Sequence, residues 1–562
     1  LWHKLPFSVS SSFLIAFTKT VLPCCIKLGL QWIYERSGSL YTFCSLFYSY
    51  LYFDVVLRLG SSIRASLFSS RLHFLGHFHF RLDQAKPKRA STIMTAPCNA
   101  PLKINILTLN CWGLKYIAQL REERLEEIGR RLATATPTPE IVGLQECWTQ
   151  QDYQTIREHT RHILPYGKFY YSGIFGGGLA ILSKWPIEES SMVRYTLNGR
   201  PTAFFRGDWY VGKGVACARI RLGPRENDVA EVFCTHLHAP YEREPNDSYL
   251  CHRTAQAWEI TKLMRGAAER GHLVIGLGDF NMTPLSFAHQ LITAHAPVRD
   301  VWRVVHPDSS LGAVSNVLER NRGRKTPTAK YNITENGATC DSALNTWRWS
   351  KQYQKRLSKG ERIVVDGETP DPRAKRLDYI FIGNGTKSAE PTWDVENAQV
   401  GMTEPHPTLG CSLSDHFSVE ATIACSRDPP SSSKRDTPSP SNESLPLMPP
   451  TSYAPIEDLI NTYMDRERSQ RRWRLGHFIF SLWVSCGCII ATWWVRHPGL
   501  ALMLTMLSTL NLAAGLVNGL IGGLFMSSEI RALKEFEWEI ENAKAMAEEK
   551  ARGGSKGGGR HR

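Results

Sequence analysis

Short apolar runs punctuated by Gly, Pro and Asx residues dominate the middle of the chain. Eight of them have the length and β-branched content of buried strands: KINILTLN (103–110), EIVGLQE (140–146), GGLAILSK (177–184), GVACARIRL (214–222), AEVFCTHLH (230–238), HLVIGLG (272–278), RLDYIFIG (376–383) and SVEATIA (418–424). Between them, LREERLEEIGRRLA (120–133) and RTAQAWEITKLMRGAAERG (253–271) read as helices. Strands interleaved with helices predict a long α+β domain, assigned to residues 94–425.

The pattern changes sharply towards the C-terminus. Residues 426–455 are rich in Pro, Ser and charge, cannot bury enough apolar surface to fold alone, and read as a disordered linker. Then come GHFIFSLWVSCGCIIATWWV (476–495) and LALMLTMLSTLNLAAGLVNGLIGGLFM (500–526), both uncharged and joined by RHPG. At ~1.5 Å rise per residue each is long enough to cross a bilayer. Gly515, Gly519 and Gly523 form a smooth ridge for a neighbouring helix. A basic juxtamembrane segment, 456–475, carries Arg466, Arg468, Arg471, Arg472 and Arg474, and a charged tail, 527–562, follows the second span. Basic residues on the outer flanks of both spans place the two long ends in the cytosol, with the arginines at an anionic membrane surface.

Net charge is +14, which invites a nucleic-acid partner. Residues 1–93, however, hold eleven Lys and Arg against Glu35, Asp54 and Asp83, so most of the excess lies outside the predicted domain. That segment lacks a helical or strand period and is read as an upstream extension ahead of a start at Met94, an Arg-rich targeting peptide being the alternative. The 14 cysteines are scattered without the spacing of a secreted disulfide scaffold and read as reduced thiols.

The predicted strands end in polar residues: Asn110, Glu146, His236, Asp279 with Asn281, Asp378, and the pair Asp415–His416. Any one alone is adequately explained as an Asx turn or a polar cap. Carboxylates, amides and two histidines on successive strand ends suit a hard divalent cation and a phosphoryl group. GDWYVGKGV (207–215) looks like a phosphate loop but has Gly214 where a P-loop needs Ser or Thr, so an ATPase is not indicated.

The order Asn, Gln-Glu, His, Asp-x-Asn, Asp-Tyr-Ile and Ser-Asp-His resembles the endonuclease/exonuclease/phosphatase superfamily, and LNCWGLKYIAQLREERLEEIGRRL, GLQECW, GDWYVGKGV and LSDHFSVEATI resemble the neutral sphingomyelinases. With the two C-terminal spans, the similarity is greatest to the fungal inositol phosphosphingolipid phospholipases C. The resemblance implies a four-layered DNase I-like α/β sandwich and a Mg²⁺-dependent phosphodiesterase that releases ceramide from sphingolipids. It implies Glu146 and Asp415 at the metal, with Asn110 completing its surroundings. His416 is expected as general base oriented by Asp378, and Asp279 as the group that aligns the attacking water or bridges it to the metal; which of the two activates the water stays open at this point. His236, Asn281 and Asn110 are expected to donate hydrogen bonds to the transferring phosphoryl group. Asp208 and Lys213 are expected as a regulatory charge pair; an exposed charged turn is the plainer reading. Activation by anionic phospholipids and residence at the endoplasmic reticulum or mitochondrial outer membrane complete the expectation. An endonuclease of the same fold would gain nothing from two spans, and an inactive membrane scaffold would not need every catalytic position filled.

Overall fold

The computed structural model describes residues 100–242, 246–387, 392–426 and 448–557, so the segment 1–93 and most of the linker lie outside the described residues. Twelve strands form two sheets: β1 Lys103–Asn110, β2 Ile141–Gln145, β3 Tyr166–Tyr170, β4 Leu179–Ser183, β5 Ile187–Arg194, β6 Gly214–Arg221, β7 Val229–His236, β8 Leu273–Asp279, β9 Arg299–Asp300, β10 Asp378–Gly383, β11 Thr392–Gly401 and β12 Ser418–Ser426. One sheet runs β11-β12-β1-β2-β4-β3 and the other β5-β6-β7-β8-β10-β9. Each contains one parallel pair, β1–β2 and β7–β8, among antiparallel neighbours. The two pairs end in polar residues, Asn110 beside Gln145 and His236 beside Asp279. Carboxyl ends of parallel strands are where open sheets leave a crevice for ligands.

Alternation along the strands builds four layers. Ile104, Ile106, Ile141 and Ile181 of the first sheet meet Val232, Ile275, Leu277 and Ile380 of the second in the central core. On the outer face, Leu107, Leu109, Val142 and Leu144 pack under α1 (Arg121–Thr134) and α2 (Gln150–Thr160) through Leu125, Ile128, Leu132 and Ile156. On the far side Phe233, Val274, Tyr379 and Phe381 lie under α3 (Leu250–Glu269) and α4 (Phe287–His295). The sheets approach so closely at Gly143 that a Cβ there would sit 1.9 Å from Leu277 Cδ1.

All eight predicted strands form. The four that the apolar pattern missed, β3, β5, β9 and β11, are the edges of the two sheets. An edge strand has one neighbour and more solvent, so its sequence lacks the continuous apolar run; β5, IEESSMVR, is exposed along most of its length.

A buried ion pair fixes the segment leading into β10. Arg376 donates through both terminal nitrogens to the Asp300 carboxylate, each at 2.9 Å, and His289 Nε2 lies 3.1 Å from the same group. Burial opposes the Asp300 carboxylate, but Arg376 and His289 hold its pKa well below the usual range. Asp300→Ala should therefore leave a buried guanidinium unpaired and lower unfolding stability by ~3–5 kcal/mol, read as a fall in thermal midpoint. A loss within the range of a surface substitution would show that Arg376 finds other partners.

Three helices follow the linker: α5 Ala454–Ala491, α6 Pro498–Leu520 and α7 Met526–Gly557, with a π turn, Ile521–Phe525, between the last two. Two helices are long and apolar enough to cross a membrane. They present Trp483, Ile489, Leu502, Met506 and Leu510 outward. Such an apolar belt suits membrane association. The glycine ridge faces α5: a Cβ at Gly515 would lie 2.4 Å from Ser481 Cβ and one at Gly519 2.9 Å from the Phe478 ring. The third member of the ridge is Gly522 (3.1 Å from Arg474 Cβ) rather than the expected Gly523, which comes no closer than 4.0 Å to Leu475. Four-residue steps drift round a helix of 3.6 residues per turn, whereas the seventh residue returns to the same face.

The segments 456–475 and 527–562, expected as a juxtamembrane stretch and a tail, include a stem docked on the catalytic domain. Tyr453 ahead of α5, Ile456, Ile460 and Met464 of α5, and Leu533, Phe536 and Ile540 of α7 bury against Cys251, Ala255, Trp258 and Leu291. Glu529 Oε1 accepts from Tyr463 (2.9 Å) and lies 3.0 Å from His252 Nε2, while Lys262 reaches Glu539 at 2.7 Å. The arginine cluster is divided: Arg466 pairs with Glu467, Arg468 with Asp465, and Arg474 donates to Asn518 across the hairpin, with Arg472 left exposed.

Candidate active site

The polar strand ends converge between the two sheets. Asn110 closes β1 and donates through Nδ2 to Glu146 Oε1 (3.1 Å) and Asp279 Oδ2 (3.0 Å), tying one sheet to the other. Glu146 follows β2 with φ 54° and Asn281 follows β8 with φ 47°, both in the left-handed region that side chains other than Gly rarely occupy. Such backbone strain is held only where the surroundings over-determine it. Gly278, at φ 141°, lies where a Cβ would come within 2.0 Å of Thr235 O, so only glycine can bring β8 this close to β7 just before Asp279.

Asp279 is buried. Its Oδ1 accepts from the Asn281 amide (2.9 Å), and its Oδ2 lies 3.6 Å from His236 Nε2 and 3.9 Å from His416 Nε2. Asp378, directly opposite in the β8–β10 register, holds His416 Nδ1 at 2.8 Å. Burial and then Asp378 push the Asp279 carboxyl up to about 7. Burial opposes a charged His416, but Asp378 outweighs it and lifts the imidazole well above its usual value. His236 is pushed well below its ordinary value, first by burial and then by Lys213, and is neutral at pH 7. One buried histidine is thus charged and the other is not, because only one has a carboxylate on its far nitrogen.

The residues fit a divalent cation at Glu146. Its Oε2 is buried with no hydrogen-bond partner among the described residues, and burial first, then Asp415, raise the Glu146 pKa. An unpartnered carboxylate oxygen beside a second carboxylate is an environment that a hard cation relieves. Single ligand atoms of Asp279, Asp378 and His416 also lie within 4.8 Å of one another. There, however, the imidazole is already hydrogen-bonded to Asp378, which suits proton handling better than ligation.

A buried frame supports these groups. Ser414 Oγ donates to Asn110 O (2.6 Å) and accepts from the His416 amide (3.2 Å). Asn345 donates to Ser414 O (3.0 Å), and Trp347 packs on Trp112 at 4.8 Å, so this loop braces the site from behind. Arg124, fully buried, donates to the carbonyls of Cys111, Trp112 and Leu413 and binds the strand-end loops together. Sequence reading missed Arg124 among the charges of α1. Its signal was its place four residues before Ile128, on the apolar stripe.

Asp208 and Lys213 make no ion pair with each other among the described residues. Both hold the segment after β7. Lys213 Nζ donates to the carbonyls of His236 (3.4 Å) and Leu237 (3.2 Å), and Asp208 accepts from Tyr241 (2.8 Å) and lies 3.5 Å from His238 Nδ1. The five arginines of α5 take no part in this constellation.

The sequence signature of the Endonuclease/Exonuclease/phosphatase family matches residues 107–416. The chain belongs to this family. The DNase I-like sandwich described above is that family's architecture, and its metal dependence accords with the Glu146 site. Within the family, the chain is 38% identical over 452 residues to an inositol phosphosphingolipids phospholipase C of Schizosaccharomyces pombe, covering 80% of this chain and 96% of that protein. It is 33% identical to the protein of the same name in Saccharomyces cerevisiae, over 78% of this chain and 90% of that one. Sphingomyelin phosphodiesterase 2 of Homo sapiens is 29% identical over 62% of this chain and 71% of its own length.

Proposed function

We propose that the chain is a Mg²⁺-dependent, membrane-anchored phosphodiesterase of phospholipase C type that hydrolyses inositol phosphosphingolipids to ceramide and a phosphorylated head group. The observation that carries this is the linked set Glu146–Asn110–Asp279 facing His416–Asp378 across the sandwich. The two fungal relatives that align over nearly their whole length support the head group, and the apolar hairpin supports the lipid setting.

Glu146 and Asp415 would hold the cation, which when bound would polarise a phosphoryl oxygen. Asn281 and neutral His236 orient the phosphoryl group by hydrogen bonds, whereas Asn110, expected as a third donor to it, gives both its amide hydrogens to Glu146 and Asp279 and holds those carboxylates in place. Asp279, with a pKa near neutrality, accepts a proton from the attacking water as its oxygen bonds to phosphorus. The bond from phosphorus to the ceramide oxygen breaks, and that oxygen takes a proton from the imidazolium of His416. Return of the proton from Asp279 to His416 Nε2, 3.9 Å away, resets the site. His416, expected as the base, is thereby assigned the acid role, because Asp378 keeps it protonated.

The test is turnover by the full chain in vesicles carrying inositol phosphoceramide, sphingomyelin or neither, with an abasic oligonucleotide alongside. Release of ceramide from the first substrate in preference to the second is the expected result. Preferential cleavage of sphingomyelin would transfer the reading to the human relative's activity, and cleavage of the oligonucleotide alone would reject it.

Lys213 should matter through the loop it holds. Lys213→Ala removes a buried donor from the carbonyls of His236 and Leu237, of which Leu237 O keeps Asn281 Nδ2, and a supporting group of this kind typically affects activity by ~10–100-fold. Turnover should fall by that order while half-saturating Mg²⁺ stays unchanged. Unchanged turnover would show that this loop keeps its place without the Lys213 donor.

A further inference from the structure

We propose that the rim of the catalytic end carries a lipid-inserting patch, formed by Ile174, Phe175 and Phe205, which seats the mouth of the site in the interfacial layer of a bilayer. The proposal deepens the sphingolipid-hydrolase reading and rests on it. The patch comes from two loops that rise from the same end of the sandwich as the site. The loop 171–178 joins β3 to β4, and Gly178 O accepts from the amide of Cys147, the residue after Glu146. The loop 195–213 joins β5 to β6, whose first turn of strand lies opposite the end of β7, with Val215 beside Thr235.

The loops are bound to one another. Phe175 N donates to Tyr210 O (3.3 Å), their rings are 6.0 Å apart, and Ser172 Oγ bonds to Gly212 O. Ile174 is 76% exposed, Phe175 60%, and Phe205 wholly so. Three large apolar side chains held out on braced loops are costly in water and are the usual mark of an interaction surface.

Continuity with the apolar hairpin identifies the occupant as lipid. Trp209 packs between Tyr210 (5.1 Å) and Phe525 (4.9 Å), and Phe525 lies at the end of the second apolar segment. The loops therefore sit level with the point where that segment ends. Charge does not oppose insertion: residues 171–178, YSGIFGGG, have none, and Arg206 is paired with Glu242 and lies over the Tyr241 ring at 4.5 Å. Tyr171, Trp209 and Tyr210, beside the patch, are the residue types that settle at a membrane–water boundary.

Two measurements on the full chain test this. First, a photo-crosslinking phenylalanine analogue is placed at position 205, and the protein is irradiated in phosphatidylcholine vesicles that contain no sphingolipid. A lipid adduct is expected whichever head group the enzyme cleaves, so this result stands or falls separately from the functional reading. A crosslink to a second copy of the chain or within the chain, with no lipid adduct, overturns the proposal. Second, the triple substitution Ile174→Ser, Phe175→Ser, Phe205→Ser should lower turnover of vesicle-embedded sphingolipid at least about tenfold and leave hydrolysis of a water-soluble phosphodiester unchanged. Equal losses on both substrates would make the patch part of the fold's support, and no loss on either would also overturn the proposal.

Discussion

Glu146→Ala is expected to lose turnover on the order of 10³-fold while the protein keeps its thermal midpoint. The two effects separate because the side chain contributes charge to the site and no apolar area to either core. Its Oε2 has no partner among the described residues, and its pKa is raised by burial and by Asp415, so the folded chain holds this carboxylate at a cost that alanine removes. The left-handed backbone at φ 54° is no worse for alanine than for glutamate. Glu146→Gln, which keeps the shape and removes the charge, should lose nearly as much. A chelator should reproduce the loss in wild-type protein, with recovery on adding Mg²⁺, and added Mg²⁺ should not rescue the variant. Near wild-type turnover in folded Glu146→Ala would reject the cation assignment.

Asp279→Asn should cost a comparable factor and should also change the shape of the pH profile. A general base must be ionised, so wild-type turnover should decline as pH falls through the pKa of Asp279, which burial and Asp378 place at about 7 before any cation is counted. A cation in the site favours the ionised carboxylate and moves that limb to lower pH, so raising Mg²⁺ should extend activity on the acid side. The residual activity of Asp279→Asn should lack this limb. If the limb persists unchanged in Asp279→Asn, another group is the base. His416→Gln, by contrast, should remove the alkaline limb that follows from loss of the imidazolium proton.

The legible and the hidden parts of the molecule divide along physical lines. Central strands bury both faces and so show as apolar runs; all eight were readable. The edges were not: β11 alternates weakly and is exposed at many positions, and β9 has two residues. The site was legible because strand ends carry carboxylates and amides where apolar residues would otherwise continue. What the sequence could not supply is the cross-sheet connection, Asn110 to Asp279, which joins residues 169 positions apart. Nor could it supply the direction of the proton. His236 and His416 are the same residue type; burial and Lys213 keep the first neutral, and Asp378 behind the second keeps it charged. The docking of the stem was not legible, because MDRERSQRRWR is strongly charged; the apolar stripe Ile456, Ile460 and Tyr463 lies just upstream of it, and Met464 is its first residue, all within the same helix.

That helix runs 38 residues without a break, from the dock on the catalytic domain into the apolar hairpin. On the proposed reading, it leaves the enzyme no slack. Such a protein has no bulk substrate concentration; it samples a mole fraction in one leaflet by lateral diffusion. Its rate would be diluted by inert lipid in its own bilayer and would be indifferent to substrate in a neighbouring one, so that transport of sphingolipid between membranes, rather than encounter in water, would govern what it can degrade.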